Sequence, residues 1–261
     1  MAAAAKEGGA IVETIKTVVY ALLLAGVIRT LLFQPFWIPS GSMKDTLLIG
    51  DFLFVNKFAY GYSQHSCPFS MCPFSGRIFG SEPERGDVIV FAHPRDGQIY
   101  IKRLVGLPGD RVAMQDGLLF INDEQVPQTA EAPFVEIKEQ QGPVGNVPVC
   151  ANAPVAFGAD CIKERATETL PNGVSHSVLN VGQRPGDNKG IFTVPDGNYF
   201  FVGDNRDNSL DSRFSQRESG VGFVPFENLV GRADRIIFSS AGRSILFFWT
   251  WRSDRFFKAI V

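Results

Sequence analysis

The chain has 261 residues, of which 45% are hydrophobic and 20% are charged, so it is long enough to bury one large core or two smaller ones. Its 25 basic and 27 acidic residues leave a formal net charge of -2, and no basic excess is available to neutralise a phosphate backbone. We therefore expect no nucleic acid partner.

An apolar run near the N-terminus predicts a membrane anchor. From Thr17 to Phe33 the residues are apolar except for Arg29, and as a helix this run would reach about 26 Å, just enough to span a bilayer. Lys16 and Arg29 lie near its ends, where long cationic side chains reach the lipid headgroups, and Pro35 is expected to end the helix. The flanking charges do not decide its orientation.

A cleavable signal peptide is the alternative interpretation of this run. No small-x-small cleavage site follows it closely, whereas Phe36 and Trp37 suit the aromatic belt of a membrane interface. We therefore predict a retained anchor.

Short runs rich in Val, Ile and Phe follow, separated by Gly, Pro and Asp, and they predict β-strands. The predicted strands are Asp51–Val55, Asp87–Ala92, Ile99–Val105, a hairpin over Arg111–Ile121 around Asp116-Gly117, and Asn198–Val202. Between Pro127 and Lys189 the apolar periodicity fades and polar residues become frequent, as in an inserted domain.

Four cysteines lie in two close pairs. Cys67 and Cys72 enclose a short loop, and Cys150 and Cys161 lie in a polar stretch. Three pairings are possible, of which the local one needs the least loop closure and would indicate an oxidising compartment. Zinc is the alternative, but neither pair has C-x-x-C spacing and the histidines add no ligand pattern.

The C-terminal residues, from Ser244, mix aromatic and basic side chains. Two interpretations remain open: this tail lies at a membrane interface, or it forms a terminal helix that closes the core.

A Ser/His/Asp site would have to use His65, His93 or His176, and all three lie in loop-like surroundings flanked by Pro or Ser. We expect each to be structural or solvent-facing. A hydrolase built on this chain would need another base, and a lysine can serve when apolar burial lowers its pKa.

Two segments supply a serine and a lysine. Ile38–Met43 places Ser40 and Ser42 around a glycine in a tight loop, which can expose a hydroxyl and aim backbone N–H groups at one point. Tyr100–Asp110 places Lys102 within an apolar strand. Taken singly, each has a plainer explanation, a turn in the first case and a solvent-exposed lysine in the second.

A third segment, Gly203–Arg213, packs acids, amides, hydroxyls and arginines behind a strand with the sequence Tyr-Phe-Phe-Val. Such a loop can hydrogen-bond its own backbone. The alternatives are a solvated turn or a calcium loop, but the Asp spacing does not match an EF-hand.

Together the three segments closely resemble the type I signal peptidases, membrane serine proteases with a Ser/Lys dyad. The nucleophile box lies at Pro39–Met43 with the following Thr46–Asp51, the lysine box at Tyr100–Asp110 and the third box at Gly203–Arg213. Order and approximate spacing agree from the anchor to about Gly231.

The resemblance implies a role for the polar residues of these boxes. Ser42 would be the nucleophile and Lys102 the general base. The Ser42 N–H and the Ser40 hydroxyl would form the oxyanion hole, and Ser209 would hydrogen-bond and orient Lys102. Supporting ion pairs would join Asp204 to Arg103 and Asp211 to Arg213.

The resemblance also implies an endopeptidase that removes N-terminal signal peptides from exported preproteins, cutting after small residues in A-x-A-like sites and needing no cofactor. It places the chain in the bacterial inner membrane as a single-pass protein, with the catalytic domain on the periplasmic side. The lipid bilayer and the translocon would then be its neighbours.

The predicted fold class is mainly β, with an N-terminal transmembrane helix followed by a β-rich catalytic domain that carries a smaller inserted domain. The predicted parts are a cytoplasmic N-terminus (1–16), the transmembrane anchor (17–34), the catalytic domain (35–126 and 191–240), the inserted domain (127–190) and the C-terminal tail (241–261).

Other functions remain open at this point. A self-cleaving regulator or a peptidase dedicated to one exported substrate would use the same chemistry. An anchored β-rich binding module would use none.

Overall fold

A computed structural model describes residues 2–67, 72–242 and 244–261. In this described part the one α-helix is α1 (Ala2–Leu31). The strands are β1 (Phe33–Trp37), β2 (Asp51–Asn56), β3 (Tyr62–Ser63), β4 (Arg77–Ile78), β5 (Val88–Ala92), β6 (Ile99–Gly106), β7 (Arg111–Gln115), β8 (Leu118–Ile121), β9 (Glu124–Gln125), β10 (Gln128–Ile137), β11 (Asp160–Thr169), β12 (Ser175–Asn180), β13 (Lys189–Thr193), β14 (Asn198–Val202), β15 (Val224–Pro225) and β16 (Leu229–Ser239). The mainly β fold predicted from the sequence is confirmed.

Seven strands form the main antiparallel sheet, in the order β1-β2-β16-β5-β6-β14-β15. A four-stranded sheet, β13-β7-β8-β9, shares a core with it, in which Val105 and Phe200 of the main sheet pack with Val112 and Leu119. A separate three-stranded sheet, β10-β11-β12, lies within the segment predicted as an inserted domain and is called here the inserted sheet. The domain boundaries stay a prediction.

Strands β2, β5, β6, β7, β8 and β14 lie where the sequence predicts them. The hairpin between β7 and β8 turns at Asp116 and Gly117, whose φ angles of 50° and 78° are the left-handed values that favour an Asp-Gly turn. The pattern missed β10 because seven of its ten side chains are exposed and its apolar residues do not alternate regularly with polar ones.

The anchor helix differs from its predicted bounds. It ends at Leu31, before Pro35, because residues 33–37 leave the helix to pair with β2. Pro35 lies opposite Phe54 in an edge strand, where a missing N–H is tolerated. Residues Ala10–Arg29 have a mean hydropathy of 1.9, are long and apolar enough to cross a membrane, and have no side chain buried in the protein.

Phe36 packs partly buried against the core beside β2, and its place at a membrane interface stays a prediction.

The C-terminal tail forms short 3-10 turns, Phe248–Thr250 and Ser253–Arg255, and the predicted terminal helix is wrong. The tail is nevertheless fixed to the main sheet, since buried Arg255 forms an ion pair with Asp51 at 2.6 Å. Phe248 and Trp249 stay exposed, and a membrane role for this tail stays a prediction.

Candidate active site

Ser42 lies in a loop between β1 and β2 that is pinned at both ends. Ile38 and Met43 are 2% and 1% exposed and belong to the same core cluster, so the short stretch between them has little freedom. The Ser42 side chain is itself buried, with the residue only 8% exposed.

Lys102 lies on β6, one of the inner strands of the main sheet, and is also buried. Its Nζ donates a hydrogen bond to Ser42 Oγ at 2.6 Å and another to the Ile101 carbonyl at 3.0 Å. Sixty residues separate the serine and the lysine along the chain, and the fold brings their reactive atoms into direct contact.

Burial lowers the pKa of Lys102 from its usual value of 10.5 to about 8. The carboxylates of Asp211 and Asp204 raise it again in part, and the positive charge of Arg213 lowers it further. Desolvation has the largest effect on this pKa, because the buried ammonium loses more hydration free energy than the attraction of the two carboxylates restores. The neutral amine is therefore accessible near pH 8.

The loop between β1 and β2 (residues 38–50) is called here the serine loop, and the segment Gly203–Arg213 contacts it from one side. Asn205 donates two hydrogen bonds to this loop. Its backbone N–H donates to the Ser42 carbonyl at 3.1 Å, and its Nδ2 donates to the Gly41 carbonyl at 2.8 Å. The Thr46 hydroxyl donates to Asp204 Oδ2 at 2.5 Å. Sequence reasoning assigned no role to Asn205, because its partners lie 164 residues away and no local pattern marks the contact.

Two bidentate ion pairs stabilise this segment. Arg103 donates to both oxygens of Asp204 at 2.8 Å, and Arg213 donates to Asp211 at 2.8 and 2.9 Å. Burial by itself would raise the pKa values of both carboxyls, but the facing arginines hold them below their usual range. All four side chains are buried, so loss of one partner would leave an uncompensated charge in the core.

The hydrogen bond predicted between Ser209 and Lys102 is not formed. Ser209 Oγ is buried with no hydrogen-bond partner of good geometry, although its proximity helps to lower the pKa of Asp211. The Lys102 Nζ instead donates to Ser42 Oγ and to the Ile101 carbonyl.

A cavity of about 680 Å³ opens over the serine and the lysine. Exposed Ser40 and the buried residues Ser42 and Lys102 lie at its wall. Apolar side chains also line it, among them Ile99, Ile101, Leu210 and Phe214.

The structure gives the histidines other partners. His93 is buried with Nε2 3.1 Å from the Gly220 carbonyl. His176 lies in β12 and not in the predicted loop. Its ring is buried, with Nε2 3.4 Å from Glu168 Oε1. His65 lies in the 3-10 turn Gln64–Ser66.

The cysteines form the two local disulfides predicted, Cys67–Cys72 and Cys150–Cys161. The alternative interpretation, a zinc site on these cysteines, is wrong, because a sulfur in a disulfide has no thiolate that could bind the metal. In the residues that the structure describes, no group of three or more His, Cys, Asp or Glu side chains could hold a metal ion.

The sequence matches the model of a protein family described as signal peptidase, peptidase S26, over residues 11–238. The chain belongs to this family. Signal peptidase I of Rickettsia typhi is 40% identical over 232 residues, covering 85% of this chain and 78% of the relative, and that of Rickettsia prowazekii is 40% identical with the same coverage. A crystal structure of a signal peptidase I from Enterococcus faecalis V583 is 27% identical and covers 58% of this chain and 97% of that one, with a TM-score of 0.30.

As a member of peptidase S26, this protein is a serine endopeptidase, of a family characterised by a Ser/Lys dyad. Its N-terminal helix fits the single-pass anchor of a bacterial signal peptidase. A buried serine in hydrogen-bond contact with a buried lysine is the arrangement that such chemistry requires.

Proposed function

We propose that this signal peptidase removes N-terminal signal peptides from exported preproteins, cutting after small residues, with Ser42 as nucleophile and Lys102 as general base. The single observation that carries the assignment is the 2.6 Å contact between Lys102 Nζ and Ser42 Oγ at the wall of an open cavity. Contact at this distance permits direct proton transfer once the amine is neutral.

The reaction proceeds through an ester intermediate. Neutral Lys102 takes the proton from Ser42 Oγ as this oxygen attacks the scissile carbonyl, and the resulting ammonium returns the proton to the departing amine of the mature protein. Lys102 then takes a proton from a water molecule as the water oxygen attacks the ester carbonyl, and returns this proton to Ser42 Oγ as the signal peptide leaves with a free carboxyl group. We assign the developing oxyanion to the Ser42 N–H and the Ser40 hydroxyl.

The cavity suits an extended peptide. Strand β14 pairs with β6 only between Arg103 and Gly106, while Gln98–Lys102 line the cavity. A substrate segment can therefore add to this free stretch of β6 as a further strand, with main-chain hydrogen bonds, and present its scissile carbonyl to Ser42.

We further propose that the enzyme lies in the bacterial inner membrane with its catalytic domain on the periplasmic side. The two disulfides support an oxidising compartment, and the exposed apolar face of α1 supports contact with the lipid bilayer. In that position the active site would meet preproteins as they leave the translocon.

The proposed nucleophile is tested by Ser42→Ala, with Ser81→Ala, an exposed serine on another loop, as the matched control. Purified full-length variants are incubated with a preprotein that carries an A-x-A site. We expect no cleavage by Ser42→Ala, unchanged circular dichroism, and wild-type cleavage by the control. Cleavage by a folded Ser42→Ala enzyme would remove Ser42 from the mechanism.

A peptidase dedicated to one substrate would use the same dyad. Incubation with several unrelated preproteins separates the two functions, since we expect all of them to be cut at their A-x-A sites.

A further inference from the structure

Lys44 is a second buried lysine close to the nucleophile, and the dyad chemistry does not use it. It follows Ser42 by two residues and is 3% exposed. Its Nζ donates to Glu136 Oε2 at 2.5 Å and to Gln141 Oε1 at 2.7 Å, and Lys163 donates to the other oxygen of Glu136 at 2.5 Å. These four side chains are called the Lys44 cluster.

The other members of the Lys44 cluster lie on the inserted sheet or in the loop between β10 and β11. Glu136 lies on β10 and Lys163 on the neighbouring β11, while Gln141 lies in the loop after β10. Within that loop Asn146 Nδ2 also donates to the Pro39 carbonyl at 2.7 Å. The inserted sheet and its β10–β11 loop therefore contact the serine loop at Pro39, before Ser42, and at Lys44, after it.

The backbone and the aliphatic side-chain stem of Lys44 connect these contacts to the residues around Ser42. The Lys44 backbone N–H donates to the Gly41 carbonyl at 3.2 Å, which closes a turn around Ser42. A Cβ at Gly41 would lie 3.3 Å from Lys44 Cε and 3.5 Å from its Cδ, so the aliphatic stem packs directly over the residue before the nucleophile. Movement of the ammonium would move this stem.

The charge balance of the Lys44 cluster is unfavourable to a second ammonium. Burial lowers the pKa of Lys44 from 10.5 to about 8. Glu136 raises it in part by its charge and hydrogen bond, whereas the positive charges of Lys163 and Arg252 lower it further. Loss of the Lys44 proton would leave Glu136 with one cation instead of two.

We propose that Lys44 is a positioning residue, through which the inserted sheet holds Ser42 in line with Lys102, and that cleavage needs Lys44 charged and Lys102 neutral in the same molecule. This inference rests on the proposed function of the dyad. Because both lysines titrate near pH 8, the two requirements oppose each other, and the pH profile of kcat/KM should be a narrow bell.

The test compares four variants of the full-length enzyme with wild type in detergent micelles, using one fluorogenic A-x-A peptide from pH 6 to 11. Lys44→Met removes the charge and keeps the stem, Lys44→Arg keeps a charge that is not lost in this range, and Glu136→Gln removes the partner. Lys138→Met is the matched control, because Lys138 lies just after β10 but bonds the Val155 carbonyl and not the serine loop.

We expect Lys44→Met to lower kcat roughly tenfold to a hundredfold with little change in KM, since a small displacement of a nucleophile slows the chemical step. Lys44→Arg should recover part of this loss and move the alkaline limb above pH 10. Glu136→Gln should lower the pKa of Lys44 below that of Lys102, because the opposite charge no longer supports the ammonium. The maximum of kcat/KM should then fall about tenfold for each pH unit of this shift, and the acidic limb should move down while the alkaline limb is set by Lys102. The control should match wild type.

Wild-type kcat for a folded Lys44→Met enzyme would overturn the inference. If that variant has lost its melting transition, Glu136→Gln decides instead, and a wild-type maximum of kcat/KM with an unmoved acidic limb overturns the inference. Ser42→Ala, assayed alongside, reports separately on the proposed function: when it is inactive and Lys44→Met is fully active, only the positioning role fails.

Discussion

The backbone of Gly203 lies directly against the Ser42 carbonyl, so that a Cβ at position 203 would fall 2.6 Å from that oxygen. The same Cβ would also overlap the Ser209 side chain. A strand end that bears a side chain cannot come this close, and the contact between the Gly203–Arg213 segment and the serine loop therefore depends on a glycine.

Gly203→Ala should push the two segments apart and lengthen the bond from Asn205 to the Ser42 carbonyl. We expect kcat to fall about a hundredfold or more, because the nucleophile moves relative to its base. The control is Gly190→Ala, where an added Cβ meets no atom within 4 Å. Equal activity of the two variants would contradict the close approach described here.

Lys102→Arg should be inactive at every accessible pH, because a guanidinium retains its proton and cannot act as a base. In the wild type the pKa of Lys102 is about 8, so the neutral base is lost as pH falls through that value. We expect kcat/KM to fall about tenfold per pH unit below it. Cleavage by the arginine variant, measured with the same peptide, would mean that another group takes the proton.

Ser40 lies exposed at the cavity wall, and we expect its hydroxyl to donate to the oxyanion. Ser40→Ala should cost on the order of 3 kcal/mol of transition-state stabilisation, roughly a hundredfold in kcat, with KM little changed. Ser40→Thr keeps the hydroxyl and should recover part of the rate. A rise in KM at constant kcat would instead assign Ser40 to substrate binding.

The Cys150–Cys161 disulfide closes a short loop beside the inserted sheet. We expect the double variant Cys150→Ser/Cys161→Ser to lose about 3 kcal/mol of unfolding free energy, the entropy of closing such a loop, while Ser42 and Lys102 stay in contact. Thermal melting under identical detergent conditions measures the loss. Peptide mapping of the enzyme from its native membrane should find the bridge, and free thiols there would contradict both the pairing and the oxidising compartment.

Local patterns in the sequence determined much of this protein. Apolar composition marked the N-terminal helix. Its predicted C-terminal end was wrong, because Pro35 lies in a paired edge strand and the helix ends at Leu31. Short runs rich in Val, Ile and Phe marked the buried strands around Lys102, because a strand that lies in the core is made largely of apolar residues. The three boxes indicated Ser42, Lys102 and the Gly203–Arg213 segment before any contact was known.

The tertiary structure decided which groups meet. The sequence implied a bond from Ser209 to Lys102, but the lysine bonds Ser42 and a backbone carbonyl. The contacts of Asn205 and Lys44 carry no local signal, since Gly41 and Glu136, with which they form hydrogen bonds, lie 164 and 92 residues away. Hydrogen bonds and ion pairs act over about 3 Å and require an exact approach of distant segments, whereas apolar periodicity follows from burial along one strand and can be seen in the chain itself.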